Sequence, residues 1–298
     1  MLEKLSFVGL TTLAIMLAHI AANACNWNCG GTYTDGNDFG LNTPSYSGFK
    51  KHIFYNMPKE EHSYEYIQEE SVARAGKFYQ RFELREGDCF PPSDSGWNDC
   101  ETDRERFEFS SRPRQQPTGK QCYGYSLKLD KSFQSVHPTN TDLGQVHQKG
   151  GPKGTAGGFQ SFPPLIQIGA KYDKLMFGWH ELTGDENNTR DEKLQFELAK
   201  ISEIKNIWTD ITFCLDFENE RMDAWVNGEK KVEVLRSPIN FMPDSIYFKY
   251  GIYRSFVSRY KNTYGSIPTQ IVYYDEVRRG NSVEQVDANI NPKLKLVD

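Results

Sequence analysis

A long succession of short alternating runs constrains this chain more than any other feature. Lys77–Arg85, Arg104–Phe109, Cys122–Leu129, Leu143–Gln148, Leu165–Ala170, Lys174–Trp179, Lys193–Ala199, Trp208–Phe217, Met222–Val226, Lys231–Leu235, Ser245–Tyr253 and Thr269–Val277 are rich in β-branched and aromatic residues and bounded by turn formers. Side chains alternate across a strand, so each run offers one face to a core and one to solvent or ligand. Many short strands of this kind predict an all-β sandwich of two antiparallel sheets. Asn227-Gly228, between Trp225 and Val232, predicts a type I′ hairpin turn. The 298 residues suffice for one such domain with a sizeable core.

Three runs share one design. In Ser245–Ser255, the side chains of Ile246, Phe248, Tyr250 and Ile252 fall on one face and those of Tyr247, Lys249 and Tyr253 on the other. Gln80–Glu86 sets Arg81, Glu83 and Arg85 opposite Phe82 and Leu84, and Leu143–Gln148 sets Gln145 and His147 opposite Val146. The polar faces thus carry groups that grip a carboxylate and move a proton, with an ammonium two pleats from a phenol. Each has a plainer reading: Arg81 with Glu83 as a cross-strand ion pair, His147 as a structural histidine, Lys249 as cover for an edge. Glu83 is expected to hold the arginines in place. Arg106 and Glu108 share a face opposite Phe107 and Phe109, and either extend a groove or pair with each other. The net charge of −5 excludes a general binder of nucleic acid or polyanions. An anionic ligand would need a local basic groove.

Taken in order, Arg81-Phe-Glu-Leu-Arg85, Gln145-Val-His147 and Tyr247-Phe-Lys-Tyr-Gly-Ile-Tyr253 resemble the R-x-E-L-R, Q-[IV]-H and Y-F-K-x-G-x-Y motifs of the jelly-roll alginate lyases. The wider context, Tyr123-Gly-Tyr-Ser126, Gly144-Gln-Val-His-Gln148, Lys249-Tyr-Gly-Ile-Tyr-Arg254 and Tyr273-Tyr-Asp-Glu-Val277, resembles the heparin lyase I and glucuronan lyase branch, and the resemblance runs from roughly Phe78 to Gly280. It implies a concanavalin-like β-jelly-roll with a concave substrate groove, cleaving an acidic polysaccharide by β-elimination. It also implies roles. Gln145 and an arginine of the Arg81/Arg85 pair neutralise the uronate carboxylate; Tyr253 is the acid; His147 is the base, or supports a tyrosine that does both. Lys249, Tyr247, Arg85, Arg254, Arg106 and Lys128 are candidates for substrate binding, with Lys171 and Arg259 at outer subsites. No cofactor is required and no metal enters the chemistry; related lyases often carry a structural calcium ion, for which Asp275 is a candidate ligand. Tyr250 replaces a small residue of the alginate lyase motif, and Arg254-Ser255 replaces its usual polar pair, which leans the substrate toward glucuronan-like or sulfated glycosaminoglycan chains.

Residues 1–24 read as a secretory leader: Lys4 opens it, Leu5 to Ile20 is apolar, and Ala22-Asn-Ala24 is a cleavage site. Residues 25–60 then form a loop-rich segment, 61–287 the lyase domain and 288–298 a tail. The expected protein is a secreted monomer with no nucleic acid partner and no membrane attachment after cleavage. Six cysteines suit an oxidising compartment. Cys89 with Cys100 is the first pairing expected, then Cys25 with Cys29 and Cys122 with Cys214. Asn187-Asn-Thr189 is a glycosylation sequon in a eukaryotic source, and the glycine-rich Lys149–Gly158 is expected to form a mobile loop over the groove. Two rivals remain at this point. Glu101, Asp103 and Glu105 match the E-x-D-x-E spacing of jelly-roll glycoside hydrolases, and a non-catalytic lectin-like module uses the same sandwich.

Overall fold

The computed structural model describes residues 32–34, 45–46, 49–52, 62–89, 97–111, 113–150, 163–184, 188–292 and 294. The expected leader, Cys25, Cys29, Asn187 and the loop beyond Gly150 lie outside them. Sixteen strands follow the alternation: β1 (Thr32–Thr34), β2 (Ser45–Tyr46), β3 (Phe49–His52), β4 (Tyr64–Gln68), β5 (Phe78–Leu84), β6 (Arg104–Ser111), β7 (Lys120–Leu129) and β8 (Asn140–Lys149) come first. Then come β9 (Ile166–Lys171), β10 (Lys174–Thr183), β11 (Arg190–Lys200), β12 (Thr209–Asp216), β13 (Arg221–Val226), β14 (Glu229–Val234), β15 (Ser245–Ser255) and β16 (Gln270–Gly280). Two short helices interrupt them, α1 (Ile201–Ile204) and α2 (Val257–Tyr264). No helix among the described residues is long and apolar enough to cross a membrane.

The strands form two antiparallel sheets. The first runs β14-β13-β12-β7-β16-β5-β4 with β1 added to β16, and the second runs β11-β10-β9-β8-β15-β6-β3-β2. Hairpin-linked runs, β8 to β11 and β12 to β14, alternate with connections that cross between the sheets, as from β5 to β6, β7 to β8 and β14 to β15, which is the crossing pattern of a jelly roll. Asn227 and Gly228 have φ of 50° and 80° and join β13 to β14, as the sequence predicts for a type I′ turn.

Apolar faces of both sheets meet in one core. Phe82 of β5 packs against Phe107, Phe109, Tyr250 and Tyr274 with ring centroids 5.1–5.8 Å apart, mostly edge to face. Tyr250, unusual for the motif, is thus a core residue. Disulfides join Cys89 to Cys100 and Cys122 to Cys214, two of the expected pairs.

Two irregularities in the second sheet shape its outer face. Pairing of β8 with β9 shifts between Asp142 and Gly144, and pairing of β15 with β8 shifts between Tyr250 and Tyr253. Gly251 has φ of 130°, and a Cβ there would lie 2.3 Å from the Phe107 carbonyl oxygen, so only glycine fits. Such bulges strand backbone carbonyls inside the core. Tyr274, reaching across from the first sheet, brings its hydroxyl to 2.5 Å from the Leu143 carbonyl oxygen and 2.7 Å from that of Gly251. Tyr274→Phe leaves both without this donor. We expect it to lower the unfolding free energy by about 1–3 kcal/mol, as read by urea denaturation; a change near zero would mean the bulges hold themselves.

Candidate functional site

The bulges and the alternation of β6, β15 and β8 bring one set of polar side chains to the outer face of the second sheet. Register places Tyr253 opposite Arg106 on one side and Asp142 on the other. It also sets Lys249 opposite Gln145, and Tyr247 opposite His147. Six of the expected residues, Gln145, His147, Lys249, Tyr253, Tyr247 and Arg106, therefore share one surface.

Glu108 organises this surface. Its carboxylate accepts from Gln145 Nε2 at 2.5 Å, pairs with Lys249 Nζ at 2.6 Å and lies 3.5 Å from Arg106 Nη1. Arg106 is held from the other side by Asp99, with Nε at 2.6 Å and Nη2 at 2.7 Å from the two carboxylate oxygens. Asp99 in turn is fixed by its neighbour Cys100, bridged to Cys89, and by Trp97 Nε1 at 2.8 Å. All these charges are buried, and all are paired. Burial pushes the Lys249 ammonium down, Arg106 adds to that, and Glu108 offsets it.

Tyr253 lies over this cluster. Arg106 stacks on its ring at 4.3 Å, Lys249 lies 5.7 Å from the ring centre, and Arg104 Nε donates to the hydroxyl at 3.0 Å. Burial raises the phenol above its ordinary value although Arg106 and Arg104 pull it down, so the group is a neutral acid at physiological pH. His147 Nδ1 lies 2.8 Å from the Gln148 carbonyl oxygen, which can only accept. That bond puts the proton on Nδ1 and the lone pair on Nε2. Burial, reinforced by Lys249, pushes His147 down to about 3, so the imidazole is neutral as well. Its ring stacks on Tyr247 at 5.5 Å. The site can therefore offer an acid, a base and buried cations to an anionic ligand.

Other expected residues stand elsewhere. Arg81 and Arg85 lie on β5 and just beyond it, in the first sheet, on the side away from the core and from Tyr253. Both pair with Glu83, which holds them as expected. Phe82 and Leu84, fully buried between the sheets, dictate this orientation. Arg106, in the similar run Arg106-Phe-Glu-Phe109, occupies the place beside Gln145 and Tyr253 expected of Arg81. Lys128 also faces outward from the first sheet, its Nζ 4.8–5.5 Å from the rings of Tyr273, Trp208 and Tyr79. Arg254 points inward, is fully buried, pairs with Glu105 and donates to the carbonyls of Pro268 and Arg85 at 2.8 and 2.7 Å. It clamps the sandwich rather than facing a groove. Lys171 borders the outer face of β9 and donates to Gln195 at 3.0 Å, and Arg259 stacks on Phe256 at 4.0 Å.

The hydrolase triad does not form. Glu101 and Asp103 lie in a turn, where Asp103 has φ of 61° and accepts from the backbone N–H and hydroxyl of Ser258, while Glu105 points inward to Arg254. On β6 it is Glu105 that faces the core, while Arg104 reaches Tyr253. Asp275, the candidate calcium ligand, accepts backbone N–H groups from Arg74, Ala75 and Glu276. Arg74 also extends its guanidinium to Asp210 at 2.7 Å, so the surroundings of Asp275 do not fit a cation. Among the described residues no three His, Cys, Asp or Glu gather as a metal cage. Sequence reasoning missed Arg104, Asp99 and Asp142.

Comparison with known proteins separates the remaining readings. No curated protein sequence matches the chain. In structure it is similar to the endo-β-1,4-glucuronan lyase of the fungus Trichoderma reesei, with 17% identity, a TM-score of 0.57, and coverage of 82% of this chain and 98% of that one. It is also similar to the family 7 alginate lyase A1-II′, at 14% identity and a TM-score of 0.46 over 68% of this chain and 80% of that one. A botulinum neurotoxin type C matches at 10% identity and a TM-score of 0.50, covering 93% of this chain and 53% of that one. At such identities the likenesses to the glucuronan lyase and the neurotoxin establish the sandwich fold alone, which serves lyases and binding proteins alike. The sequence model of one family decides between them: that described as polysaccharide lyase matches residues 44–278, most of the chain including every residue of the Glu108 cluster. The chain belongs to the polysaccharide lyase family.

Proposed function

We propose that this lyase cleaves a uronic-acid-containing polysaccharide by β-elimination on the outer face of the second sheet. The observation that carries the proposal is the convergence of Gln145, Lys249, Arg106 and Tyr253 around Glu108, with His147 two residues along β8 from Gln145 on the same face. The difficulty of the reaction is the weak acidity of the sugar C5 proton. Neutralising the adjacent carboxylate lets the charge that develops on proton removal be stabilised by fixed donors. Gln145, Arg106 and Lys249 supply that field. His147 Nε2 takes the C5 proton, the C5–H electron pair forms the C4=C5 double bond, and the C4–O4 bond breaks. Tyr253 protonates the departing O4, with Arg104 steadying the phenolate that results.

The environments of the two groups favour this division. A neutral phenol can give a proton and a neutral imidazole can take one, and the site keeps both neutral. The β-1,4-glucuronan substrate named for the similar fungal lyase suits the proposal. Secretion accords with the leader-like residues 1–24 and with the two disulfides.

Digests of glucuronan, alginate, heparosan and heparan sulfate should give UV-absorbing unsaturated ends from at least one. We expect Tyr253→Phe to lower kcat about 10²–10⁴-fold with polymer binding kept; turnover at the wild-type rate would remove Tyr253 from the chemistry.

His147 makes a second prediction, on stability. Its folded pKa lies below its unfolded one, so the unfolded chain takes up the proton first. The resulting penalty is absent above pH 6.5 and grows as pH falls toward 3. Between about pH 7 and pH 5 the wild type should therefore lose up to about 2 kcal/mol more stability than His147→Gln. Parallel urea titrations at the two pH values check this, and equal losses would refute the neutral, buried imidazole.

A further inference from the structure

Asp142 belongs to no part of the proposed reaction, yet it stands in register beside Tyr253. Strict alternation from Gln145 would turn its side chain into the core. The bulge at Leu143 turns it outward instead, leaving the residue 4% exposed in the floor of the face that carries Tyr253. A shallow depression open to solvent lies there, lined by Asp142, Gln167, Gly169, Gly178, Lys193 and His137 among others. Gly169 keeps the carboxyl uncovered, since a Cβ there would lie 3.0 Å from Asp142 Oδ1 and 2.4 Å from the Thr141 carbonyl oxygen. Asp142 Oδ2 accepts from Gln167 Nε2 at 2.8 Å, and Gln167 Oε1 is taken by Lys193 and by His180 at 3.0 Å. Tyr172, 65% exposed, lies beside the lining residue His137, its ring centroid 4.0 Å away and tilted by 48°, and offers an exposed ring to a pyranose.

Resting on the proposed function, we infer that Asp142 is a specificity residue that restricts the polymer to unsulfated sugars at the position next to the cleaved bond. A sugar hydroxyl entering the depression donates to the carboxylate, and a sulfate ester there offers no donor and adds a second anion. The cations facing Asp142 are Lys249 from β15 and Lys193 from β11; Tyr253, from β15, also faces it, and Glu108, from β6, adds negative charge. Burial raises the carboxyl to about 7, so the selection is strongest where the group is ionised. Lys193 is engaged with Gln167, and it balances the carboxylate rather than inviting an anion in.

Binding tests this without depending on turnover. In the Tyr253→Phe background, dissociation constants at about pH 8 are measured for glucuronan oligosaccharides and for the same oligosaccharides after chemical O-sulfation, with and without Asp142→Asn. Asparagine keeps an acceptor for Gln167 and removes the charge. We expect the Tyr253→Phe protein to bind the unsulfated chains at least about tenfold tighter, and Asp142→Asn to narrow that ratio at least about fivefold, mainly by tighter binding of the sulfated chains. Asp142→Ser, smaller and also neutral, should do the same if the asparagine variant folds poorly. An unchanged ratio with both affinities lowered would make Asp142 merely structural and overturn the inference, as would an initial preference for sulfated chains. Absence of binding to either would overturn it together with the groove itself. Selective binding without UV-absorbing product from wild-type protein would instead sink the lyase reaction and leave the selectivity standing.

Discussion

The buried carboxylate of Glu108 is the constraint on which the site depends. Bringing Lys249 and Arg106 out of water costs several kcal/mol per ion, and the cost is offset only where geometry and additional hydrogen bonds are good. Glu108 meets that requirement for both cations, and Asp99 completes the shell of Arg106. Gln145 is drawn into the same network through its amide nitrogen, while its Oε1 is buried with no partner among the described residues. That arrangement stores no obvious stability. It keeps cationic donors fixed and dry, which is where they act most strongly on charge that develops during a reaction.

The two sheets divide the work. The second carries the polar cluster on its outer face, and the first supplies the backing that lets its strands depart from regular pairing. Tyr274 answers the carbonyls that the irregularities at Leu143 and Gly251 expose, and Arg254 with Glu105 closes the end of the sandwich from within. The Cys89–Cys100 disulfide sits behind Asp99, and so behind Arg106. Residues remote from any ligand thus hold the side chains that would touch one.

Alternation made the strands, the I′ turn and the shared face of Tyr247, Lys249 and Tyr253 legible in the sequence. It should also have set Arg254 inward with Tyr250 and Ile252, since their parity is the same. What it could not supply was sheet order. Arg81-Phe-Glu-Leu and Arg106-Phe-Glu-Phe are the same pattern locally, and only the non-local pairing of β6 with β15 makes the second the partner of Tyr253. Nor could it find Asp142, because a one-residue bulge reverses the face of everything before it. Arg104 was legible by the same alternation, since it shares its parity with Arg106 and Glu108; the E-x-D-x-E reading, which the turn at Asp103 breaks, set it on the other face.

The charges around the site also set how its acid and base respond to a ligand. Burial, with Lys249 and Arg106 adding to it, holds His147 neutral, and Arg106 and Arg104 pull against the burial that keeps Tyr253 protonated. A uronate carboxylate bound by Gln145, Arg106 and Lys249 would cancel part of that positive field. His147 would become more basic and Tyr253 would hold its proton more firmly, so the anion that needs a base and an acid would itself ready the base and preserve the acid until O4 departs. In the proposed elimination, the proton would leave Tyr253 as the C4–O4 bond breaks, and with Arg104 3.0 Å from its oxygen the negative charge would appear beside a guanidinium already in place.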